Sequence, residues 1–334
     1  MECREQLNKW LALVSPTYGL QPETLTYASS DAGFRQYFRI QGTGRSYIIM
    51  DCPKEKQSMK EFVKVDKIMK TAGLNVPEIF EVDFEGGFML LSDLGTKTYL
   101  DVLDHDNADR LMDDATTALV KLQVASKPDV LPPYSAELLR KEINLFTEWF
   151  LEKHLHMELS ELEKKLLERT FDLIIAKNLS EAKVYVHRDY MPRNLMPEPV
   201  DNPGVLDFQD AVYGPISYDI ASLCRDAFIS WEEHQIIDWT IRYWDKARKA
   251  GLPVPADFGA FWKDVEWMGL QRHLKVLGIF CRLSYRDGKD KYIGDLPRFI
   301  NYVSKTAARY DSLKPLANLM DKIQNKEKQV GYTF

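Results

Sequence analysis

Near position 92 the strand-forming patterns of this chain give way to apolar spacing that is nearly all helical, and that change restricts the folds open to it. Ahead of it, Tyr37-Phe38-Arg39-Ile40 and Tyr47-Ile48-Ile49-Met50 flank Gln41-Gly42-Thr43-Gly44-Arg45, a pattern for two antiparallel strands and their turn. Glu78 to Phe84 alternates with period two, Gly86-Gly87 turns it back, and Phe88 to Leu91 supplies a further strand. A helix is expected from Ser58 to Ala72, with Phe62, Val65 and Met69 on its apolar face and Gly73 as its C-terminal cap. A short opening helix carrying Leu7, Trp10, Leu11 and Val14 is expected to stop at Ser15-Pro16. Beyond Ser92-Asp93-Leu94-Gly95 the spacing is helical, as in Leu111, Ala115, Leu119 and Leu122, and later in Leu162, Leu166 and Leu173. Strands first and helices after is an α+β signature. It predicts a sheet-rich N-terminal lobe over 1–92, a connector over 93–98, a helical lobe over 99–334, and a cleft where they meet.

One stretch breaks the helical run. Val184-Tyr185-Val186, Leu195-Met196 and Val205-Leu206 read as short buried strands, and polar residues fill the places between them. These are His187-Arg188-Asp189-Tyr190-Met191-Pro192-Arg193-Asn194 and then Asp207. Each alone is an ordinary turn, cap or strand-end residue. Together they have the layout of a phosphoryl-transfer site, where positioning and charge neutralisation supply most of the catalysis. Asp189 would take the proton of an attacking hydroxyl. Asn194 and Asp207 would offer oxygen ligands to Mg2+, which ordinarily keeps substrate phosphates and water in the rest of its shell. The expected cofactors are therefore ATP and Mg2+.

Composition removes other classes. A chain of 334 residues with net charge -6 and no concentrated basic run is not built to coat nucleic acid. Cys3, Cys52, Cys224 and Cys281 are scattered, without a CxxC or zinc pattern, as expected for reduced packing thiols. His154 and His156 have the wrong spacing for one helical face. No segment approaches the ~20 apolar residues of a membrane helix, and the charged start lacks a signal-peptide core. The expectation is a cytoplasmic protein with a small-molecule partner, no nucleic acid and no membrane, a monomer in the simplest case, with a frayed tail after Gln324.

On these residues the chain resembles the aminoglycoside phosphotransferase-like kinases across both lobes. His187 to Asn194 matches that family's HxDxxxxN loop, Asp207 its metal-binding aspartate, and Phe88 to Leu94 its interlobe hinge. The resemblance implies a bilobal protein-kinase-like fold, with the backbone of Ser92, Asp93 and Leu94 facing adenine and His187 supporting the loop. Asp219 looks like the aspartate that buttresses the catalytic loop, although a helix N-terminal acid fits equally well. Three segments are closer to one branch, the bacterial cell-wall-recycling sugar kinases: Ser92 to Asp101, His187 to Met196, and Gln271 to Phe280. Those enzymes phosphorylate the anomeric hydroxyl of N-acetylmuramate and N-acetylglucosamine, so the resemblance implies a sugar 1-phosphate product for peptidoglycan recycling.

The chain departs from the family in one place that matters. Where protein kinases and many relatives carry a phosphate-binding Lys at the end of the third strand, this chain has Ile49-Met50-Asp51. Arg35, Arg39 or Lys54 is expected to substitute, and Ser29 to Phe34 to offer backbone amides as an anion nest. Glu61 is available as the lysine's usual helix partner but reads better as a solvated acid. On the sugar side, Arg193, Arg225, Arg272 and His273 are the candidate cations and donors, and Asp210 and Tyr213 follow Asp207 closely enough to line the acceptor. Trp231, Trp239 and Trp244 read as helix-packing residues. Two other readings stand beside this one: a kinase for another small hydroxyl compound, aminoglycoside- or choline-like, and a nucleotide-binding pseudokinase.

Overall fold

The computed structural model describes residues 2–30, 35–52, 56–226 and 228–325. Along the chain run α1 (Glu2–Tyr18), β1 (Gln21–Ser30), β2 (Gln36–Gln41), β3 (Ser46–Asp51), α2 (Lys56–Thr71), β4 (Ile79–Asp83), β5 (Phe88–Ser92), α3 (Tyr99–Val102) and α4 (Ala108–Val124). Then come α5 (Ala136–Leu145), a π-helical stretch Phe146–His154, α6 (Glu161–Leu179), β6 (Lys183–Val186), β7 (Leu195–Met196), β8 (Gly204–Val205) and β9 (Val212–Pro215). The remainder is helical: α7 (Tyr218–Cys224), α8 (Glu233–Lys249), α9 (Phe258–Asp287), α10 (Leu296–Ala308) and α11 (Lys314–Ile323). This is an α+β chain with a small N-terminal antiparallel sheet and a larger helical C-terminal region. Its two compact units are interleaved in sequence: residues 1–125 with 187–211, and residues 126–186 with 212–334.

In the first unit the sheet order is β1-β2-β3-β5-β4, every pairing antiparallel. β2 and β3 pair without a break from Gln36–Asp51 to Gln41–Ser46. One face is sealed by α1, whose Leu7, Trp10 and Leu11 pack with Ile40, Tyr47, Ile49, Phe88 and Leu90. Helix α1 runs past the expected stop. The Ser15 hydroxyl donates to the Leu11 carbonyl at 2.6 Å, and the helix ends at Gly19, whose φ of +61° suits a residue without Cβ. Pro16 thus falls inside the last turn rather than ending the helix. Strand β1 is absent from the sequence expectation because Gln21–Ser30 is an edge strand facing mostly solvent, with no apolar alternation to reveal it.

The second unit is built on α9, thirty residues long and buried over most of its circumference. The Asp257 side chain caps its start by accepting from Ala260 N–H at 2.8 Å, and Gly288 closes it at φ +66°. In α6 the buried face carries Leu167, Phe171, Ile174 and Ile175. The expected Leu162 and Leu173 instead point outward, 67% and 39% exposed. Trp239 is buried as expected, with Trp231 edge-on to it at 5.1 Å. Cys224 and Cys281 are buried, and burial pushes both thiols up to about 12. Among the described residues, no helix is long and apolar enough to cross a membrane.

Candidate active site

The segment after β6 is fixed to the first unit at three points. The Tyr190 hydroxyl, fully buried, donates to the Ala115 carbonyl of α4 at 2.8 Å. Phe208 packs on Phe62 of α2 with ring centroids 4.8 Å apart. Strands β7 and β8 pair Leu195 with Val205 and Met196 with Gly204, and Val205 N–H donates to the Asn75 carbonyl at 2.7 Å. This short hairpin brings residues thirteen positions apart to one end. Leu206 N–H donates to the Asn194 carbonyl at 2.9 Å, so Asn194 and Asp207 leave the hairpin as neighbours.

Their side chains form a chain of contacts with Asp189. The Asn194 amide Nδ2 donates to the Asp189 carbonyl at 2.8 Å and lies 3.5 Å from Asp207 Oδ2. With its nitrogen turned to these acceptors, Asn194 presents its carbonyl oxygen as the remaining polar atom. Gln209 Nε2 donates to Asp207 Oδ1 at 2.9 Å and is 3.3 Å from Asp210 Oδ2. Gln209 was not anticipated, and its only signal was adjacency to Asp207. Arg35 Nη2 stands 3.9 Å from Asp207 Oδ1. Asp189 is partly exposed and the Asp207 side chain 30% exposed, so both are reachable from solvent.

His187 organises the backbone behind this group. It is fully buried; Nε2 lies 3.0 Å from the Leu206 carbonyl, and Asp189 N–H donates to Nδ1 at 3.3 Å. Those partners require a neutral ring with its proton on Nε2. Burial is what keeps it neutral, pushing its pKa down to about 4 against the opposing pull of Asp189. Two residues here hold left-handed backbone without being glycine: Arg188 at φ +75° and Asp207 at φ +63°. Such conformations cost about 1–3 kcal/mol each and persist where surrounding packing enforces them.

At the connector, Ser92 and Glu78 hold each other twice, Ser92 N–H to the Glu78 carbonyl and Glu78 N–H to Ser92 Oγ, both 2.8 Å. Asp93 is the more heavily engaged residue. Its carboxylate accepts from Arg39 Nε at 2.5 Å and Nη2 at 2.9 Å, from the Ser46 hydroxyl at 2.7 Å and from Gly95 N–H at 3.0 Å. Arg39 Nη2 also donates to the Gly95 carbonyl at 2.7 Å. Burial alone would push the Asp93 carboxyl up, but these donors outweigh it and hold it below the usual carboxylate range. Leu94 packs toward Gly204, where a Cβ would meet its Cδ1 at 2.9 Å.

The first unit thus brings together Asp189, Asn194, Asp207, His187 and Arg35, with Arg193 and Asp210 exposed on the same segment. Arg39, Ser92, Asp93 and Leu94 are gathered at its connector. Glu61 accepts from Gln57 of its own helix at 3.5 Å. Lys54, residues 31–34 of the expected anion nest and the tail from 326 lie outside the described residues, as does the Cys3 side chain.

The other candidates belong to the second unit. Arg225 is buried, its guanidinium 3.3 Å from Glu266 Oε1, 3.4 Å from Thr306 Oγ1 and over the Trp262 ring. Glu266 also receives Arg309 and the Tyr310 hydroxyl, the latter at 2.6 Å. His273 is buried and stacked on Tyr302 at 4.8 Å; burial first, then Arg225 and Arg272, holds it well below the ordinary imidazole range. Arg272 is buried as well. Tyr213 is a strand residue of β9, its N–H on the Pro132 carbonyl at 2.7 Å. Asp219 is fully buried in the first turn of α7.

A sheet of this order, a histidine-supported loop and an Asn-Asp pair at a hairpin end accord with a phosphotransferase. The profile of the phosphotransferase enzyme family (APH) matches residues 24–252, and the chain belongs to that family. It is 47% identical over 340 residues to the N-acetylmuramate/N-acetylglucosamine kinase of Neisseria meningitidis serogroup B, covering 100% of both chains. To the kinase of the same name from Pseudomonas aeruginosa it is 47% identical, covering 95% of each. Among solved structures it is similar to choline kinase LicA from Streptococcus pneumoniae, with TM-score 0.64 and 13% identity over 90% of this chain and 99% of that one. The ADP-bound aminoglycoside phosphotransferase APH(2'')-Ib is also similar, with TM-score 0.60 and 16% identity over 92% and 98%.

Proposed function

We propose that this protein is an ATP-dependent kinase that phosphorylates the anomeric hydroxyl of N-acetylmuramate or N-acetylglucosamine, giving the sugar 1-phosphate and ADP. The observation that carries the chemistry is the Asn194 amide, which donates to the Asp189 backbone carbonyl and lies 3.5 Å from Asp207 Oδ2, so that the three residues this reading needs meet in one place. Support for the substrate comes from relatives of that name that match end to end at close to half identity.

Asp189 accepts the hydroxyl proton as the sugar oxygen bonds to the γ-phosphorus and the bond from that phosphorus to the β,γ-bridging oxygen breaks. Asp207 and the Asn194 carbonyl oxygen would hold Mg2+, an oxygen pair that suits a hard cation completing its shell with phosphate and water. The ion, when bound, neutralises charge on the transferring phosphoryl group. Ser92 to Leu94 would present backbone to adenine, and Arg193 and Asp210 are exposed on the catalytic segment where polar contacts to a sugar are useful.

The test is turnover. Purified protein with Mg-ATP should release ADP and a sugar 1-phosphate with one or both amino sugars, and much less with an aminoglycoside or choline. Turnover of either of those in preference to both sugars overturns the substrate assignment. Nucleotide binding without turnover of anything in the panel overturns the catalytic one. Asp207→Ala should weaken Mg-ATP binding, measured by calorimetry.

A further inference from the structure

We infer that Arg35 supplies the positive charge for the nucleotide's terminal phosphates, the task that a third-strand lysine performs in protein kinases; the inference rests on the Mg-ATP reading above. A triphosphate approaching a carboxylate needs cations besides the metal, and kinases place one on β3 for that purpose. Here β3 is unsuited. Met50 is fully buried, in register between Tyr37 of β2 and Met89 of β5, so an apolar packing residue occupies the lysine's strand position.

The described cations on or beside β2 and β3 are Arg35, Arg39 and Arg45. Arg45 lies over the Tyr47 and Phe80 rings, its Nε donating to the Tyr47 hydroxyl at 3.1 Å. Arg39 gives two donors to Asp93 and one to the Gly95 carbonyl, which commits its fork to the connector. Arg35, immediately before β2, is the one directed at the proposed metal ligand. It is 7% exposed, and Nη2 is 3.9 Å from Asp207 Oδ1, a coulombic approach longer than a hydrogen bond.

This placement puts a permanent cation and a metal-binding carboxylate in one locality, so a phosphate held through a metal on Asp207 comes within reach of the guanidinium. Its planar fork suits phosphate oxygens and cannot lose its charge. Charge is thus carried from Arg35, the residue immediately before β2, rather than from β3, which frees the Met50 position for packing.

The experiment compares calorimetric affinities of the full chain for Mg-ATP, Mg-ADP and adenosine. Arg35→Ala should weaken Mg-ATP by about 10- to 100-fold, the range for a hydrogen bond between charged groups, and leave adenosine within about twofold. Arg35→Lys should recover part of the loss, and added guanidinium should raise kcat/KM of Arg35→Ala. Lys54→Ala should bind Mg-ATP like the wild type. The inference is overturned if Arg35→Ala keeps wild-type affinity for Mg-ATP, if it loses adenosine in parallel, or if the triphosphate-selective loss belongs to Lys54→Ala. Wild-type turnover alongside any of these leaves the kinase reading standing; a wild-type chain that binds no Mg-ATP brings down both.

Discussion

The segment from His187 to Asp207 and the junction of α5 with α9 both hold charged groups among apolar side chains, but they treat the charge differently. At the junction, Lys275 Nζ is 3.2 Å from Glu142 Oε1 and 3.2 Å from the Tyr218 hydroxyl, and the Tyr134 hydroxyl donates to Glu142. Both charged side chains are about a tenth exposed, and both sit within regular helices. Charge there is cancelled on the spot. Around Asp189 the carboxylates stay partly exposed, the backbone at Arg188 and Asp207 is left-handed, and the neighbouring histidine is held neutral by burial. A network that neutralises itself specifies packing. One that keeps charge reachable at a strained turn is what the proposed phosphoryl transfer requires.

The largest expected effect breaks this contrast from the reactive side. Asp189→Asn should lower kcat by about 10²- to 10⁴-fold, the scale of general acid-base catalysis, with Mg-ATP affinity and melting temperature close to wild type. Steady-state kinetics beside calorimetry reads it. A variant that loses stability and activity together would place Asp189 with the packing networks.

From the other side, Lys275→Met leaves Glu142 buried without its counter-ion and should cost about 3–5 kcal/mol in urea unfolding. Replacing both, Glu142→Leu with Lys275→Met, should recover most of that, because the desolvation cost of the pair disappears with it. If the double variant is no better than the single, the pair contributes more than mutual neutralisation.

Asp93 stands between the two regions in kind: a paired carboxylate at a connector proposed to face adenine. Asp93→Asn would loosen the hold of Arg39, Ser46 and Gly95 and should raise KM for ATP several-fold with kcat little changed. A fall in kcat at constant KM would assign Asp93 elsewhere.

Much of this was readable in the sequence, and the failures have physical reasons. Strands β2 to β5 declared themselves through apolar alternation or a continuous apolar run, one face packing on α1, and the Leu195-Met196 and Val205-Leu206 runs matched the hairpin that brings Asn194 and Asp207 together. Strand β1 did not, since an edge strand with polar faces carries no period. Leu162 and Leu173 misled because leucines at helical spacing need not mark the buried face. Membership of residues 187–211 in the sheet's own unit depends on contacts such as Tyr190 to Ala115, seventy-five positions apart, which no local pattern encodes. The same holds for Arg39, whose partner Asp93 is fifty-four positions away.

A last effect, read through pH, concerns a buried charge that neither region's logic accommodates. Glu181 is buried just after α6, with Oε2 accepting Ser217 N–H at 3.2 Å. Burial pushes its carboxyl up to about 8, with Asp264 adding to the rise and Ser217 and Lys177 opposing it. A folded-state value raised above the unfolded 4.5 means that the native chain binds the proton more tightly. Stability from this group is then complete below about 4.5 and is lost as pH rises through 8. Glu181→Gln mimics the protonated form and escapes the loss. The wild type should therefore melt level with the variant near pH 4.5, fall progressively behind it toward pH 8, and hold a constant gap above that. A gap that does not change across this window would mean the carboxylate is charged in the folded chain, and Glu181 would then have to be neutralised by Lys177, as Glu142 is by Lys275.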